Sequence, residues 1–145
     1  MLRISKTREV ATPIRGTSGS AGVDFFVPND FSEVWIDPGE AALIPSGILV
    51  DVPDGYALIA HNKSGIALKK RLQIGASVVD SDYQGEIHLH VFNTGLDSVK
   101  VSPGMKLVQF LLIPVAHCPV VEIELSELFS NKSVRGTGGF GSTGV

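Results

Sequence analysis

Short runs of apolar residues, separated by Pro and Gly, recur along most of the chain. β-Branched and aromatic residues dominate these runs, and Ile87, Leu89 and Val91 alternate strictly with their neighbours, as in a half-buried strand. Many short strands at this spacing indicate an all-β sandwich or barrel. The pattern predicts strands at 2–5, 23–26, 34–36, 41–44, 47–52, 56–61, 76–79, 86–93, 98–101, 106–113 and 120–124.

Two segments depart from the strand pattern. Residues 64–70 predict one short helix with Ser64 near its N-terminus, where unpaired N–H groups can bind an anion. The last eleven residues, 135–145, contain five glycines, one aromatic residue (Phe140) and one cation (Arg135). Such a composition cannot bury a core, so it predicts a mobile arm that offers N–H groups, a guanidinium and a ring to a ligand.

Composition narrows the function classes. A chain of 145 residues fits one domain, and a net charge of −3 without a basic run argues against a non-specific nucleic-acid binder. A single cysteine, Cys118, excludes an intrachain disulfide. The N-terminus shows no apolar run of signal-peptide length, and the longest apolar stretch, 110–116, is too short to span a membrane. We therefore expect a cytoplasmic protein with neither a nucleic-acid nor a membrane partner.

Five segments together, in this order and at this spacing, resemble the motifs of the trimeric dUTPase family. Each would be weak alone, but the third and fifth are long and unusual, and the resemblance covers 19–144. The segments are Ala21-Gly22-Val23-Asp24-Phe25, Lys63-Ser64-Gly65, the stretch GASVVDSDYQGE at 75–86, the stretch PGMKLVQ at 103–109, and the stretch RGTGGFGSTG at 135–144.

The resemblance implies a fold and an activity. The fold would be a jelly-roll-like β-barrel over 1–130 with at most one short helix, followed by a flexible Gly-rich arm over 131–145 that closes over the active site. The activity would be Mg²⁺-dependent hydrolysis of dUTP to dUMP and pyrophosphate by water attack at the α-phosphate, which lowers dUTP and supplies dUMP for thymidylate synthesis. The assembly would be a homotrimer with active sites at subunit interfaces.

The third motif would recognise the nucleoside. Tyr83 would pack under the deoxyribose, and Asp80 would bond the 3′-hydroxyl and orient the attacking water. A plain acidic turn is the structural alternative for 80–82. Backbone groups at Gly75, Ser77, Val78 and Val79 would pair with the uracil edge and reject other pyrimidines. Ser77 stands where the family commonly has Gly, so a positive φ there would be strained.

The remaining motifs would hold the triphosphate. Ser64 and Gly65 would contact phosphate oxygens, together with Lys63, which stands where the family commonly has Arg and lacks its planar fork. Gln109 would help hold the water, or would simply be a polar residue on an apolar strand. Asp24 would bind Mg²⁺ through water, with the triphosphate as the main ligand. In the arm, the expected contacts are Arg135 to the γ-phosphate, Phe140 to the uracil ring, and Gly141 and Ser142 to phosphate oxygens.

Three other functions remain to be separated from this one. A dCTP deaminase of the same fold would carry a catalytic Glu on the strand after the third motif, where this chain has His90. His88 and His90 are otherwise expected to be surface or interface residues. A non-catalytic nucleotide-sensing protein would not need Asp80. A plain structural β-domain would leave the order of the five motifs unexplained.

Overall fold

The computed structural model of the chain describes residues 1–139 and 142 and consists mainly of short strands. Two short helices, α1 and α2, accompany them: α1 is Ser64–Lys70 and α2 is Leu125–Leu128. The strands are β1 (Arg3–Lys6), β2 (Val23–Phe26), β3 (Val34–Ile36), β4 (Ala41–Pro45), β5 (Ile48–Asp51), β6 (Tyr56–Asn62), β7 (Leu72–Ile74), β8 (Val78–Val79), β9 (His88–Asn93), β10 (Val99–Val101) and β11 (Lys106–Pro114).

The strands form four sheets. The largest has the order β2-β11-β6-β8, and a second has the order β4-β9-β7. The other two are the pairs β1-β5 and β10-β3, and all pairings are antiparallel. β11 lies between β2 and β6, so it fixes the position of both neighbouring strands in the largest sheet.

A single apolar core joins these sheets. Phe25 of β2 and Phe110 of β11 are buried and their rings pack with centroids 4.6 Å apart. Leu58, Leu89 and most of the core cluster come from the other strands, and the loops between strands add Val10, Val27, Val52 and Ile87. Each such side chain contributes roughly 1.5–3 kcal/mol through removal of apolar surface from water. The alternation seen in the sequence therefore records which face of each strand is buried.

One buried amide ties two sheets together. The side chain of Asn93, at the end of β9, is almost fully buried and donates to the carbonyl oxygens of Ile36 and Asp97 at 2.9 and 2.8 Å. Its own side-chain oxygen accepts from the N–H of Gly95 at 2.8 Å. Because every one of these polar atoms has a partner, the buried amide is satisfied and links β9 to β3.

The predicted mostly-β fold is confirmed, with several corrections. The expectation of at most one short helix is wrong, because α2 forms a second, single-turn helix too short to leave a periodic signal. A strand at 120–124 is also wrong: that segment is exposed and has no partner strand in the part of the chain described. β7 was missed because its three residues directly follow the helical pattern of α1, with Arg71 alone between them. The pairing of the described strands does not close into a barrel, since loops interrupt the ladders between the four sheets.

α1 begins and ends where the sequence predicts. Lys63 is its N-cap residue and makes no capping hydrogen bond, and Arg71 ends it in the left-handed conformation with φ 54°. No helix in residues 1–139 is both long and apolar enough to cross a membrane.

Candidate active site

The largest sheet brings three of the predicted site residues together. Gln109 of β11 lies opposite Asp24 of β2 on one side and His61 of β6 on the other. β6 then leads through Asn62 into Lys63, whose ammonium group donates to Asp24 Oδ1 at 2.5 Å. We call Asp24, Lys63, Lys106 and Gln109 the Asp24 cluster. Its members are up to 85 residues apart in sequence, from 24 to 109, and only strand register joins them.

Asp24 is a buried carboxylate between two lysines. Its side chain is 10% exposed, and Lys106 Nζ lies 3.9 Å from its other oxygen, Oδ2. Both oxygens are therefore already compensated by positive charge, which a buried carboxylate requires. This arrangement leaves Asp24 little capacity as a direct metal ligand. Among residues 1–139 and 142, no group of three or more His, Cys, Asp or Glu side chains is placed to hold a metal ion.

Gln109 is held in one orientation by its neighbours. Its amide Nε2 donates to the carbonyl oxygen of Asn62 at 2.8 Å, and its side chain lies directly over Gly22. A Cβ atom at Gly22 would come within 2.3 Å of Gln109 Oε1. Glycine at this position of the first motif therefore leaves room for the side chain of Gln109.

The second motif lies beside the Asp24 cluster. Ser64 and Gly65 begin α1 directly after Lys63, and both are exposed. A Cβ at Gly65 would meet nothing within 4 Å, so the space in front of this turn is open. Their position leaves them accessible to a ligand that reaches Lys63.

The third motif forms an edge segment, residues 75–79, which we call the recognition segment. Val78 and Val79 pair with Ile59 and Leu58 of β6, and the carbonyl oxygen of Ser77 accepts from the N–H of Ala60 at 2.7 Å. Among the described non-glycine residues, positive φ occurs only at Arg71, so Ser77 is unstrained although Gly is common there in the family it resembles. Serine in place of glycine therefore requires no left-handed backbone at this position.

Three backbone polar groups of the recognition segment are available to hydrogen-bond a ligand. Within residues 1–139 and 142, no hydrogen bond engages the carbonyl oxygen of Gly75, the carbonyl oxygen of Ala76 or the N–H of Ser77. The N–H groups of Gly75 and Ala76, in contrast, are both bonded to His90. The segment thus offers two acceptors and one donor to a bound molecule, as the edge of a base would.

Asp80 and Tyr83 follow the recognition segment. Asp80 is exposed, and no hydrogen bond or ion pair within the described part of the chain involves its side chain. It lines a 650 Å³ cavity with Val78 and His117. The Tyr83 hydroxyl donates to the carbonyl oxygen of Glu86 at 2.9 Å, which fixes the ring across the turn. Tyr83 also lines a 180 Å³ cavity with Ser77, Val79 and other residues of this region.

The described residues of the fifth motif, 135–139 and 142, make no hydrogen bond to the other predicted site residues. Arg135 is exposed, and its Nε donates to the carbonyl oxygen of Gly138 at 2.8 Å. Ser142 donates its N–H to the carbonyl oxygen of Gly139 at 3.1 Å. Phe140 and Gly141 lie outside the described residues. The roles expected for this motif therefore stay predictions.

The structure adds residues that the sequence did not single out. Lys106 lies in the fourth motif but was not expected beside Asp24, and Asn62 accepts the amide of Gln109. His90 was expected to be a surface or interface residue, yet its ring contacts the recognition segment. Strand alternation could have placed His90 and Asn62 on a face, but not against these partners.

Comparison with known proteins gives one consistent family. The sequence model of the dUTPase family matches residues 8–144. A deoxyuridine 5′-triphosphate nucleotidohydrolase of Chlamydia muridarum is 42% identical over 135 residues, which is 91% of this chain and 90% of the relative. That of Rhizobium rhizogenes is 34% identical and covers 100% of this chain and 92% of its own length.

Solved structures show the same fold. A variant of the Staphylococcus bacteriophage 80alpha dUTPase with dUpNHpp superposes with a TM-score of 0.89 at 23% identity, covering 100% of this chain and 99% of that one. A variant dUTPase from phage phi11 of S. aureus, with a structural Mg(II) ion, gives a TM-score of 0.79 at 21% identity, over 88% of this chain and 99% of that one. Since the family match spans residues 8–144 and these relatives cover nearly the whole chain, this chain belongs to the dUTPase family.

Proposed function

We propose that this protein is a dUTP diphosphatase that hydrolyses dUTP to dUMP and pyrophosphate. The observation that carries the proposal is the free peptide edge of the recognition segment, followed directly by the exposed carboxylate of Asp80. Membership of the dUTPase family, with relatives named deoxyuridine 5′-triphosphate nucleotidohydrolase, supports the same substrate.

Uracil fits the peptide edge by its hydrogen-bonding pattern. The base presents an N3–H donor between two carbonyl acceptors, and the segment offers the carbonyl oxygens of Gly75 and Ala76 with the N–H of Ser77. Cytosine has an acceptor at N3 and would leave a carbonyl of the protein unpaired, which polar sites reject strongly. Val78 and Val79 would close the wall against the methyl group of thymine.

Asp80 and Tyr83 then act on the sugar and the water. Tyr83 would lie under the deoxyribose and exclude a ribose hydroxyl. Asp80 would accept a hydrogen bond from the 3′-hydroxyl. It would also take a proton from the water while the water oxygen attacks the α-phosphorus. The bond to the bridging oxygen breaks, and pyrophosphate leaves with the electron pair. Without a covalent intermediate, the rate depends mainly on positioning and charge stabilisation.

The Asp24 cluster would receive the triphosphate. Lys63, Ser64 and Gly65 would contact phosphate oxygens, and Gln109 would hold the water or its network beside them. Mg²⁺ fits here as an ion brought by the triphosphate, because Asp24 is already compensated by lysines and can only accept a hydrogen bond from a water on the ion. When bound, the ion neutralises phosphate charge.

A homotrimer would complete the site. In the single chain the apolar residues after β11 are solvent-exposed, and a monomer seldom leaves so many large apolar side chains of one segment uncovered. We propose that this segment packs on a neighbouring subunit, that the assembled domain over 1–130 has a jelly-roll-like arrangement, and that residues 131–145 act as an arm that closes a site on another subunit. Arg135, Phe140, Gly141 and Ser142 would then contact the nucleotide. The exposed residues are Val120, Val121, Ile123, Leu125, Leu128, Phe129 and Val134.

One assay tests the proposed function against its alternatives. The protein is incubated with dUTP, dCTP, dTTP and UTP in the presence of Mg²⁺, while pyrophosphate and ammonia are followed separately. Pyrophosphate from dUTP alone is the expected result. Ammonia from dCTP would instead identify a deaminase, and tight binding of dUTP without product would identify a nucleotide sensor.

A further inference from the structure

His90 contacts the recognition segment with both its backbone and its ring. The N–H of Gly75 donates to the carbonyl oxygen of His90 at 2.9 Å. The N–H of Ala76 donates to His90 Nδ1 at 2.7 Å. The two consecutive N–H groups at the start of the segment are thus both held by one residue of β9.

The imidazole of His90 occupies the space that a side chain at position 75 would need. A Cβ atom built on Gly75 would lie 2.2 Å from His90 Nδ1 and 2.4 Å from its Cε1. Real Cβ atoms essentially never approach a neighbour that closely, so the ring and the backbone of Gly75 are in direct packing contact. The position of the ring and the glycine therefore depend on each other.

The bond to Ala76 N–H controls where a carbonyl group points. The peptide unit between Gly75 and Ala76 is planar and trans, so its N–H and its C=O point in opposite directions. When His90 Nδ1 accepts the N–H, the carbonyl oxygen of Gly75 is turned away from the ring. That oxygen is one of the unengaged acceptors assigned above to the base.

We propose that His90 is the positioning residue that aims the peptide edge of the recognition segment at the pyrimidine, and that it does so only as a neutral imidazole. This inference rests on the proposed function. An accepting Nδ1 requires the proton to be on Nε2. A second proton on the ring would place an N–H on Nδ1 facing the N–H of Ala76. The hydrogen bond that holds the peptide group would then be lost.

Other ionisable groups near His90 make no equivalent contact. Tyr83, Glu86 and His88 line the same 180 Å³ cavity. The hydroxyl of Tyr83 bonds the carbonyl oxygen of Glu86, and His88 Nδ1 lies 3.0 Å from that same oxygen. On the neighbouring strand β4 the residue opposite His90 is Leu43, and on the other side of β9 its neighbour is Gly75. Neither residue brings a charge.

A matched pair of variants separates the acceptor from the shape of the ring. His90→Leu and His90→Asn have nearly the same size, but only Asn places an acceptor where Nδ1 lies. We expect His90→Leu to raise KM for dUTP by about 3- to 10-fold, the effect of one lost hydrogen bond, with kcat within about twofold. His90→Asn should restore KM at neutral pH. His88→Leu, on the same strand face, is the control and should behave as the wild type.

Acidification gives the readout that a purely structural role would not produce. As the solution is acidified, KM of the wild type should rise relative to that of His90→Asn, which keeps Tyr83, Glu86 and His88 but cannot protonate at position 90. Equal KM values for His90→Leu and wild type, or parallel pH profiles for wild type and His90→Asn, would overturn the inference while leaving dUTP hydrolysis intact.

Hydrogen–deuterium exchange tests the contact without any turnover. The amide of Ala76 should exchange more slowly in the wild type and in His90→Asn than in His90→Leu. If His90→Leu fails to fold, Gly75→Ala replaces it, because its Cβ must displace the ring. Equal exchange at Ala76 in wild type and variant would overturn the proposed role of the hydrogen bond between Ala76 N–H and His90. Absence of pyrophosphate from the wild type with dUTP would instead overturn the proposed function, and the proposed role of His90 with it.

Discussion

Replacement of Gly22 by Ala tests how tightly the Asp24 cluster is packed. The new Cβ would lie 2.3 Å from Gln109 Oε1, 3.0 Å from its Cδ and 3.1 Å from its Cβ. The end of the Gln109 side chain can rotate away, but its Cβ can move only with β11. We therefore expect Gln109 to lose its 2.8 Å hydrogen bond to the carbonyl oxygen of Asn62.

The cost follows from these two effects. A lost hydrogen bond is worth about 0.5–1.5 kcal/mol, and forcing a methyl group into a packed site typically costs about 1–3 kcal/mol. Their sum is about 1.5–4.5 kcal/mol. For a domain of this size each kcal/mol lowers Tm by about 3 °C, so Gly22→Ala should melt about 4–14 °C below the wild type.

Turnover should fall more than stability alone explains. If Gln109 holds the water or its network, a displacement of about 1 Å can lower kcat by about 10²-fold. Gly19→Ala is the control, because a Cβ there meets nothing within 4 Å and Gly19 is exposed. In a Gln109→Ala background, Gly22→Ala should cost less, since Oε1 and Cδ are gone. A Gly22→Ala protein with wild-type Tm and kcat would refute the packing argument.

Three further outcomes are expected. Asp80→Asn should lower kcat by about 10²–10⁴-fold while dUTP still binds in a calorimetric titration; unchanged turnover would remove Asp80 from its role. Deletion of 135–145 should lower kcat/KM by about 10²-fold and leave the oligomer intact in sedimentation, whereas full activity would refute the closing arm. A hydrogen bond from Lys100 is the main cause that lowers the pKa of the Glu33 carboxyl, and a hydrogen bond from Ser102 is the second. The ionised Glu33 therefore stabilises the folded protein fully at pH values above the pKa that Glu33 has in the unfolded chain. This stabilisation is lost as the pH falls through the lower pKa that Glu33 has in the folded protein. Denaturant titrations should show Glu33→Gln less stable than wild type at neutral pH and equal to it in strong acid; a constant difference would contradict this.

The sequence predicted elements wherever a short pattern suffices. β2, β3 and α1 have the predicted bounds, because alternation, Gly-Pro punctuation and a run of helix formers act locally. The segment 120–124 has the same β-branched composition but forms no strand within the described residues. A strand needs a partner, and residues 1–139 and 142 provide none for this segment.

The Asp24 cluster shows the limit of the motifs. The motifs selected Asp24, Lys63 and Gln109, but their contact depends on the register of β2, β11 and β6. The same holds for His90. Alternation along β9 gives the face on which its ring lies, but the contact with Ala76 N–H arises from how β9 and the recognition segment meet. A pattern of period two excludes a register shift of one residue, but it does not distinguish registers that differ by two residues.

Hydrolysis in ¹⁸O-labelled water tests the central claim most directly. The protein is incubated with dUTP and Mg²⁺ in labelled water, and both products are analysed by mass spectrometry. Water attack at the α-phosphorus predicts one ¹⁸O atom in dUMP and none in pyrophosphate. Label in pyrophosphate would contradict attack at the α-phosphorus, and recovery of intact dUTP would contradict the assigned activity altogether.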